Sequence, residues 1–152
     1  MDASNNRGLL VSQVGTTELI LGLLAAVGEK LRGRTGSTPD VGTIPVRLLC
    51  NVLHQLKAES SDFRDELKYL DFRSAGDNSS SNTLERILFA GGTWGLHYVQ
   101  NPALVAIAVP SSQARKRLQD FEANFGAVAK ERLDQIAEEV TGRLCETCQV
   151  VA

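Results

Sequence analysis

The sequence predicts an α+β fold in which helices cover one antiparallel sheet and a long helix ends the domain. The main observation is a series of three short apolar runs: Leu84–Phe89, Thr93–Val99 and Leu104–Val109. Only the dipeptides Gly91-Gly92 and Asn101-Pro102 separate them. Turn dipeptides between short β-rich runs are typical of an antiparallel meander. We therefore expect a three-stranded meander at about 84–109.

The N-terminal part predicts one more strand followed by a helix. Arg7–Val14 is short, rich in β-forming residues and ends at Gly15. Thr16 or Thr17 can cap the helix, and Glu18 then lies in the first turn, where the helix dipole favours a carboxylate. The apolar stripe of this helix recurs at spacings of one, three and four: Leu19, Ile20, Leu23, Leu24, Val27 and Leu31.

Gly22 and Gly28 lie within this predicted helix, where each costs roughly 1 kcal/mol relative to alanine. Small residues at these positions allow another element to approach the helix closely.

The middle of the chain predicts helices and loops. Residues 33–42 are a loop by composition. Pro45 then suits a first helical position, and a second apolar face follows: Val46, Leu49, Val52, Leu53 and Leu56. Phe63, Leu67 and Leu70 indicate a further short helix. Residues 74–82 are polar and predict an exposed flexible loop.

Pro110 and the serines after it begin the last predicted helix. Its apolar repeat jumps five places between Val128 and Leu133, so a strict heptad is not sustained and docking on the sheet is favoured over a free coiled coil. The side chains expected in the core are Phe121, Phe125, Val128, Leu133 and Ile136. Those expected to face water or a partner are Lys130, Glu131, Asp134 and Glu138. The domain is predicted to span residues 1–144, with a C-terminal tail at 145–152.

Length, charge and cysteine content restrict the class of protein. A chain of 152 residues fits one domain. The net charge of −2 does not indicate the basic surface that is typical of nucleic-acid-binding proteins. Arg115-Lys116-Arg117 is interpreted as a solvated helix face. No run reaches the roughly 20 apolar residues needed to span a bilayer, so direct membrane insertion is not expected. Three cysteines without a disulfide framework and no secretory signal pattern predict an intracellular, cytoplasmic protein.

No motif predicts catalysis, a cofactor or a metal site. Cys145 and Cys148 have the spacing of half a zinc knuckle, but a structural zinc site needs four ligands. Cys50 and His54 are four residues apart on one helix, yet Cys50 lies on the apolar side, where cysteine acts as a small hydrophobe. His97 is interpreted as a solvated strand residue. The glycine-rich segments match no nucleotide-binding motif.

Parts of the chain resemble the roadblock/LC7 family, a branch of the longin-like folds. GLLVSQVGTTELILGLLAAVGEKL is similar to the second strand and central helix of that family. LERILFAGGTWGLHYVQNPALVAIAV looks like its meander, and NFGAVAKERLDQIAEEV looks like its closing helix. The first helix and strand of the family are missing or reduced here, and residues 36–82 are longer and more helical than its usual connection.

The resemblance implies a dimer that pairs edge strands and central helices. Family members scaffold or regulate small GTPases, as in the lysosomal Ragulator and bacterial gliding regulators. This implies recruitment to an endolysosomal or vacuolar membrane through partners. The partner interface expected here consists of Leu19, Leu23, Val27, Leu84, Arg86, Ile87 and Leu88.

The preferred functional hypothesis is therefore a non-catalytic scaffold or adaptor subunit of a multiprotein complex that regulates a small GTPase. It would form a homo- or heterodimer within that complex. One alternative is a self-assembling viral or phage structural protein, which would also show helix faces without catalytic groups. Another is a small enzyme or ligand-binding domain with a pocket near Trp94, His97 and Tyr98.

Overall fold

The chain folds around a central helix, α1 (Thr16–Arg34). The computed structural model describes residues 15–34, 41–59, 63–68, 70–75, 78–93, 98–99 and 106–151. The other helices are α2 (Val46–Glu59), α3 (Arg64–Leu67), α4 (Asn82–Thr93), α5 (Ser111–Phe125) and α6 (Ala127–Val151). The strands are β1 (Val41–Pro45), β2 (Arg73–Ala75), β3 (Asn78–Ser80), β4 (Tyr98–Val99) and β5 (Ala106–Pro110).

Helix α1 is buried on all sides along its middle. Every residue from Leu19 to Gly28 is inaccessible or nearly so. Such a helix is apolar all round because neighbours cover each of its faces. α5 and α6 pack along one side, while β1 and β5 pack against another. The predicted helix is confirmed, but the predicted stripe is only part of its buried surface.

The two glycines of α1 allow these close contacts. A Cβ atom at Gly22 would lie 3.1 Å from Leu133 Cδ2 and 3.2 Å from Phe121 Cδ2. A Cβ atom at Gly28 would lie 3.0 Å from the Cβ of Val109 in β5. The expectation that small residues let other elements approach this helix is therefore confirmed.

The strands are short. β5 lies between β1 and β4 and pairs antiparallel with both, with Ile44 opposite Ile107 and Val99 also opposite Ile107. β2 and β3 form a separate two-stranded hairpin. This hairpin occupies most of the segment 74–82, which was predicted to be a loop.

The predicted fold class, an antiparallel sheet covered by helices, is wrong because the described residues are mostly helical. The first predicted strand of the meander, Leu84–Phe89, lies within α4, and Gly91-Gly92 continues that helix. Of the meander at 84–109, only β4 and β5 are strands among the described residues. The predicted N-terminal strand, Arg7–Val14, lies outside the described residues.

The spacing of the apolar residues explains why α4 is a helix. Leu84, Ile87 and Leu88 are buried and stand three and four residues apart, whereas Arg86 is exposed. This is a helical period. Ser81 caps the helix, since its Oγ accepts a hydrogen bond from Leu84 N at 3.2 Å.

The predicted long C-terminal helix is divided at Gly126. This residue has φ of +95°, which favours glycine, and its amide donates to the carbonyl of Glu122 at 2.8 Å. Val128, two residues after the break, is 46% exposed. Its predicted burial is therefore wrong, and Phe125 is only half-buried, whereas Phe121, Leu133 and Ile136 are buried as expected. α5 and α6 pack mainly on α1, and α6 continues through the predicted tail to Val151.

Replacing Gly28 by alanine should destabilise the protein. Alanine normally stabilises a helix by roughly 0.5–1 kcal/mol relative to glycine, but here its methyl group would press on Val109 in a paired strand. Overpacking of this kind typically costs about 1–3 kcal/mol.

The matched control is Gly142→Ala in α6, because nothing lies within 4 Å of a Cβ atom there. Thermal unfolding should show a lower midpoint for Gly28→Ala and an unchanged or higher one for Gly142→Ala. Equal gains in both variants would contradict the close packing of β5 on α1.

Candidate functional site

A surface cleft lies beside α2 and has a volume of about 240 Å³. Its walls are His54, Lys57, Ala58 and Phe72, and we refer to it as the α2 cleft. His54, Lys57 and Ala58 share one side of α2 because residues three and four apart are neighbours on a helix. Phe72 comes from the segment between α3 and β2. The site therefore depends on this segment folding back over α2.

Stacking and hydrogen bonds hold the segment in place. The rings of His54 and Phe72 are stacked, with centroids 5.0 Å apart and planes inclined by 10°. Lys57 Nζ donates to the carbonyl oxygen of Leu70 at 2.8 Å and to that of Lys68 at 3.4 Å. The same ammonium group lies 5.9 Å from the centroid of the Phe72 ring. Lys57 thus fixes the far wall of the cleft while its charge stays beside the aromatic ring.

A buried ion pair anchors α3, which leads into this wall. Arg132 Nε donates to Glu66 Oε1 at 2.9 Å, and the two side chains are 8% and 0% exposed. Arg132 also donates to Gln135 Oε1 at 3.2 Å, and its guanidinium carbon lies 4.7 Å from the centroid of the Phe63 ring. The pair therefore ties α3 to α6.

Basic residues are frequent around the cleft. Lys68 and Arg73 are exposed on the segment that carries Phe72, with Asp71 exposed between them. Arg47 is exposed on α2, seven residues before His54 and so on the same side of the helix. Glu59, at the end of α2, accepts a hydrogen bond from Arg143 at 3.1 Å. Two carboxylates, Asp71 and Glu59, therefore accompany the basic side chains on this part of the surface.

The side chains that line the cleft are of the kinds that bind an anionic group next to an apolar one. The N–H groups of lysine and histidine side chains donate hydrogen bonds to carboxylates, and the Phe72 ring offers apolar surface. Pockets for drug-sized molecules usually measure about 300–1,000 Å³. At about 240 Å³ the cleft is closer to the size of one or two protein side chains.

Cys50 lies one turn before His54 but belongs to the core. Its side chain is buried, and desolvation, with a smaller contribution from Glu85, raises the pKa of the thiol to about 11. A neutral thiol is a poor nucleophile and a poor metal ligand. Within the part of the chain that the structure describes, no three His, Cys, Asp or Glu side chains are grouped closely enough to hold a metal ion.

The burial and pKa of Cys50 predict slow alkylation. A pKa about two units above the ordinary value of 9.0 lowers the thiolate fraction near pH 8 by on the order of 100-fold. Iodoacetamide at pH 8, followed by peptide mass spectrometry, should modify the half-buried Cys145 and leave Cys50 unmodified. Unfolding in urea should make Cys50 reactive. Rapid labelling of Cys50 in the folded protein would contradict its placement.

Most of the residues that were predicted to contact a partner are buried in the core of this protein. Leu19, Leu23 and Val27 are buried in α1. Leu84, Ile87 and Leu88 are buried in α4, and Arg86 is exposed there. These six apolar side chains pack in the core, and the edge strand expected at 84–89 does not form because the segment is helical.

Some residues of the other predicted features lie outside the part of the chain that the structure describes. Trp94 and His97, which were proposed to line a pocket, lie outside the described residues, as does the side chain of Tyr98. In the Cys145/Cys148 pair, Cys145 is a half-buried free thiol, and the side chain of Cys148 is outside the description.

The basic cluster on α5 serves the packing of helices. Arg115 lies 3.6 Å from Glu29 and Arg117 lies 3.5 Å from Glu18, and both carboxylates belong to α1. Burial acts to raise the pKa of Glu29, but hydrogen bonding from Arg32 and the charges of Arg32 and Arg115 outweigh it and lower that pKa. Arg115 and Lys116 are exposed, as expected for a solvated helix face, whereas Arg117 is partly buried.

No protein-family model, curated protein or solved structure matches this chain. Among the described residues, no helix combines the length and the apolar character required to cross a bilayer.

Sequence reasoning noted His54 only as a possible partner of Cys50 and did not identify the α2 cleft. The spacing of His54 and Lys57 on the polar side of α2 was a usable signal. Phe72 gave none, because its position depends on the hydrogen bonds that Lys57 donates to the backbone at Lys68 and Leu70.

Proposed function

We propose that this protein is a non-catalytic adaptor subunit that binds another protein through the α2 cleft. The observation that carries the proposal is the cleft itself, in which an aromatic ring, an imidazole and an ammonium group meet at the surface. Protein interfaces are enriched in aromatic side chains, which fill small pockets and contribute much of the binding energy. The volume of the cleft suits a side chain of a partner.

The rigid mounting of the cleft supports this role. One wall belongs to a regular helix, and the other is fixed by Lys57 and, through α3, by the Glu66–Arg132 pair. A preorganised binding surface loses less conformational entropy when a partner binds. The contacts around the cleft therefore favour recognition.

The finer proposal is that the complex regulates a small GTPase. It rests on the roadblock/LC7 resemblance alone, and the segment compared with the meander of that family begins with helix α4. An intracellular location, with recruitment to an endolysosomal or vacuolar membrane through partners, has the same basis and belongs to this proposal.

Affinity purification from the native cell, followed by mass spectrometry and size-exclusion chromatography, tests the function. Wild-type protein should elute in a discrete complex with at least one other protein, and small GTPases should co-purify if the finer proposal holds. Phe72→Ala should release the partner, whereas Lys116→Ala, at an exposed position on α5, should not. Elution of the wild type only as a monomer, or as large closed or helical particles, would contradict the adaptor function.

A further inference from the structure

We propose that Gly126 is a hinge at which α6 opens away from α5, so that α6 packs on the α1 helix of a second copy of this chain. The product is a domain-swapped dimer, in which the two copies have exchanged their last helices. This inference goes beyond the proposed function and does not depend on what the α2 cleft binds.

The chain turns back on itself between α5 and α6. Cδ2 atoms of Phe121 in α5 and Leu133 in α6 both lie within 3.2 Å of the position that a Cβ atom would take at Gly22 in α1. In one continuous helix, two residues with this separation in sequence would be about 18 Å apart along the axis. α5 and α6 therefore lie side by side on α1 in the closed monomer.

A single residue, Gly126, makes this turn, whereas helix hairpins are usually joined by about 2–5 residues. Its φ of +95° and ψ of 169° form a combination that is essentially restricted to glycine. Its amide donates to the carbonyl of Glu122, and its carbonyl accepts a hydrogen bond from the amide of Lys130 at 3.1 Å. The helical pattern thus reaches Gly126 from both sides, and backbone rotation there would join the helices. Short hinge connections of this kind favour domain swapping.

The inward faces of the two helices stay in register across the hinge. Apolar residues recur at spacings of four, four, four and three: Phe121, Phe125, Ala129, Leu133 and Ile136. Phe125 is half-buried, and the other four are buried. A hairpin does not require such continuity, because each of its helices only has to face its own neighbours. In one continuous helix these side chains would form a single apolar stripe.

The closed monomer leaves an apolar side chain at the surface beside the hinge. Val128 is 46% exposed. In a continuous helix it would lie on the same side as Phe121 and Phe125, which are seven and three residues before it. The two straightened hinges of a domain-swapped dimer run next to each other, so Val128 would pack against the second copy.

The contacts of α6 can form equally well between two copies, because the chains are identical. They include the packing of Leu133 at Gly22, the ion pair of Lys30 with Glu138 at 3.1 Å and that of Arg132 with Glu66 at 2.9 Å. Opening the hinge therefore loses few contacts once the dimer has formed. High protein concentration should favour the dimer by mass action.

The first test is refolding from urea at low and at high protein concentration, followed by size-exclusion chromatography with light scattering. Wild-type protein should form a dimer only at the high concentration. Gly126→Ala should raise the dimerisation constant about tenfold or more, because alanine disfavours the positive φ and favours a continuous helix. No steric clash contributes, since nothing lies within 4 Å of a Cβ atom there.

Gly142→Ala is the matched control, because it makes the same replacement within α6, also with nothing within 4 Å. It should leave the dimerisation constant unchanged. Equal increases in the two variants, or a purely monomeric Gly126→Ala, would overturn the proposal.

A lengthened hinge keeps the proposal testable if Gly126→Ala does not fold. Inserting three residues, Gly-Ser-Gly, after Gly126 lets the chain turn without a tight connection, so the refolded protein should remain monomeric. The same amount of dimer as in the wild type, or no wild-type dimer at high concentration, would overturn the proposal.

A mixed dimer distinguishes exchange of helices from side-by-side association. It is refolded at high concentration from equal amounts of ¹³C-labelled and unlabelled protein. Isotope-filtered NOE spectra should connect the Leu133 methyl groups of one copy with the Gly22 α-protons of the other. The absence of these NOEs from the dimer would overturn the proposal and leave the adaptor function untouched.

Discussion

Replacing Glu66 by leucine should lower the free energy of unfolding by about 3–5 kcal/mol, because it leaves the guanidinium of Arg132 buried without its carboxylate. The two side chains are 0% and 8% exposed, so water cannot replace the lost partner. The loss should also free α3 from α6 and reduce the order of the wall that carries Phe72. Urea unfolding measures the first effect.

Two other variants serve as controls for this result. Lys130→Gln removes an i,i+4 ion pair with Asp134 on the surface of the same helix and should cost under about 1 kcal/mol. The double variant Glu66→Leu/Arg132→Met replaces both charges by apolar groups and should recover most of the lost stability. A cost for Glu66→Leu no larger than that for Lys130→Gln would show that the pair is solvated.

Replacing Phe121 by alanine should cost about 3–5 kcal/mol, as expected for a buried phenylalanine. Its side chain is 2% exposed, and its ring lies against the backbone of α1 at Gly22. Removing it would leave a cavity between α1, α5 and α6. Urea or thermal unfolding would measure the loss.

Phe125→Ala is the matched comparison, since the two rings are 5.1 Å apart on the same helix. Phe125 is half-buried beside the break at Gly126, so its truncation should cost about 1–2 kcal/mol. Equal losses in the two variants would favour the continuous, fully docked helix that the sequence predicted.

The spacing of apolar residues correctly predicted those helices whose buried side chains recur in a long, regular pattern. α2 shows this, since Leu49, Leu53 and Leu56 recur at three and four residues and are all buried. The segment 84–89 was misassigned because a short apolar run fits a strand or a helix equally well. The turn interpretation of Gly91-Gly92 then favoured the strand. The serine cap and the three-and-four spacing in α4 were the better signals.

The candidate site could be predicted only in part, for a physical reason. The polar side of α2 can be read from sequence, because helical spacing places His54, Lys57 and Ala58 together. The opposite wall depends on tertiary contacts between residues that are distant in sequence, such as Glu66 with Arg132 and Lys57 with the Leu70 carbonyl. No local pattern encodes those pairings.

Hydrogen–deuterium exchange of the protein with and without its co-purified partner tests most directly whether the α2 cleft binds that partner. The structure predicts that binding slows exchange most at 54–59 and 70–73, while the exposed side of α5 around Lys116 exchanges at the same rate in both samples. Protection confined to α5 or α6, with the α2 cleft unchanged, would contradict the proposed binding surface.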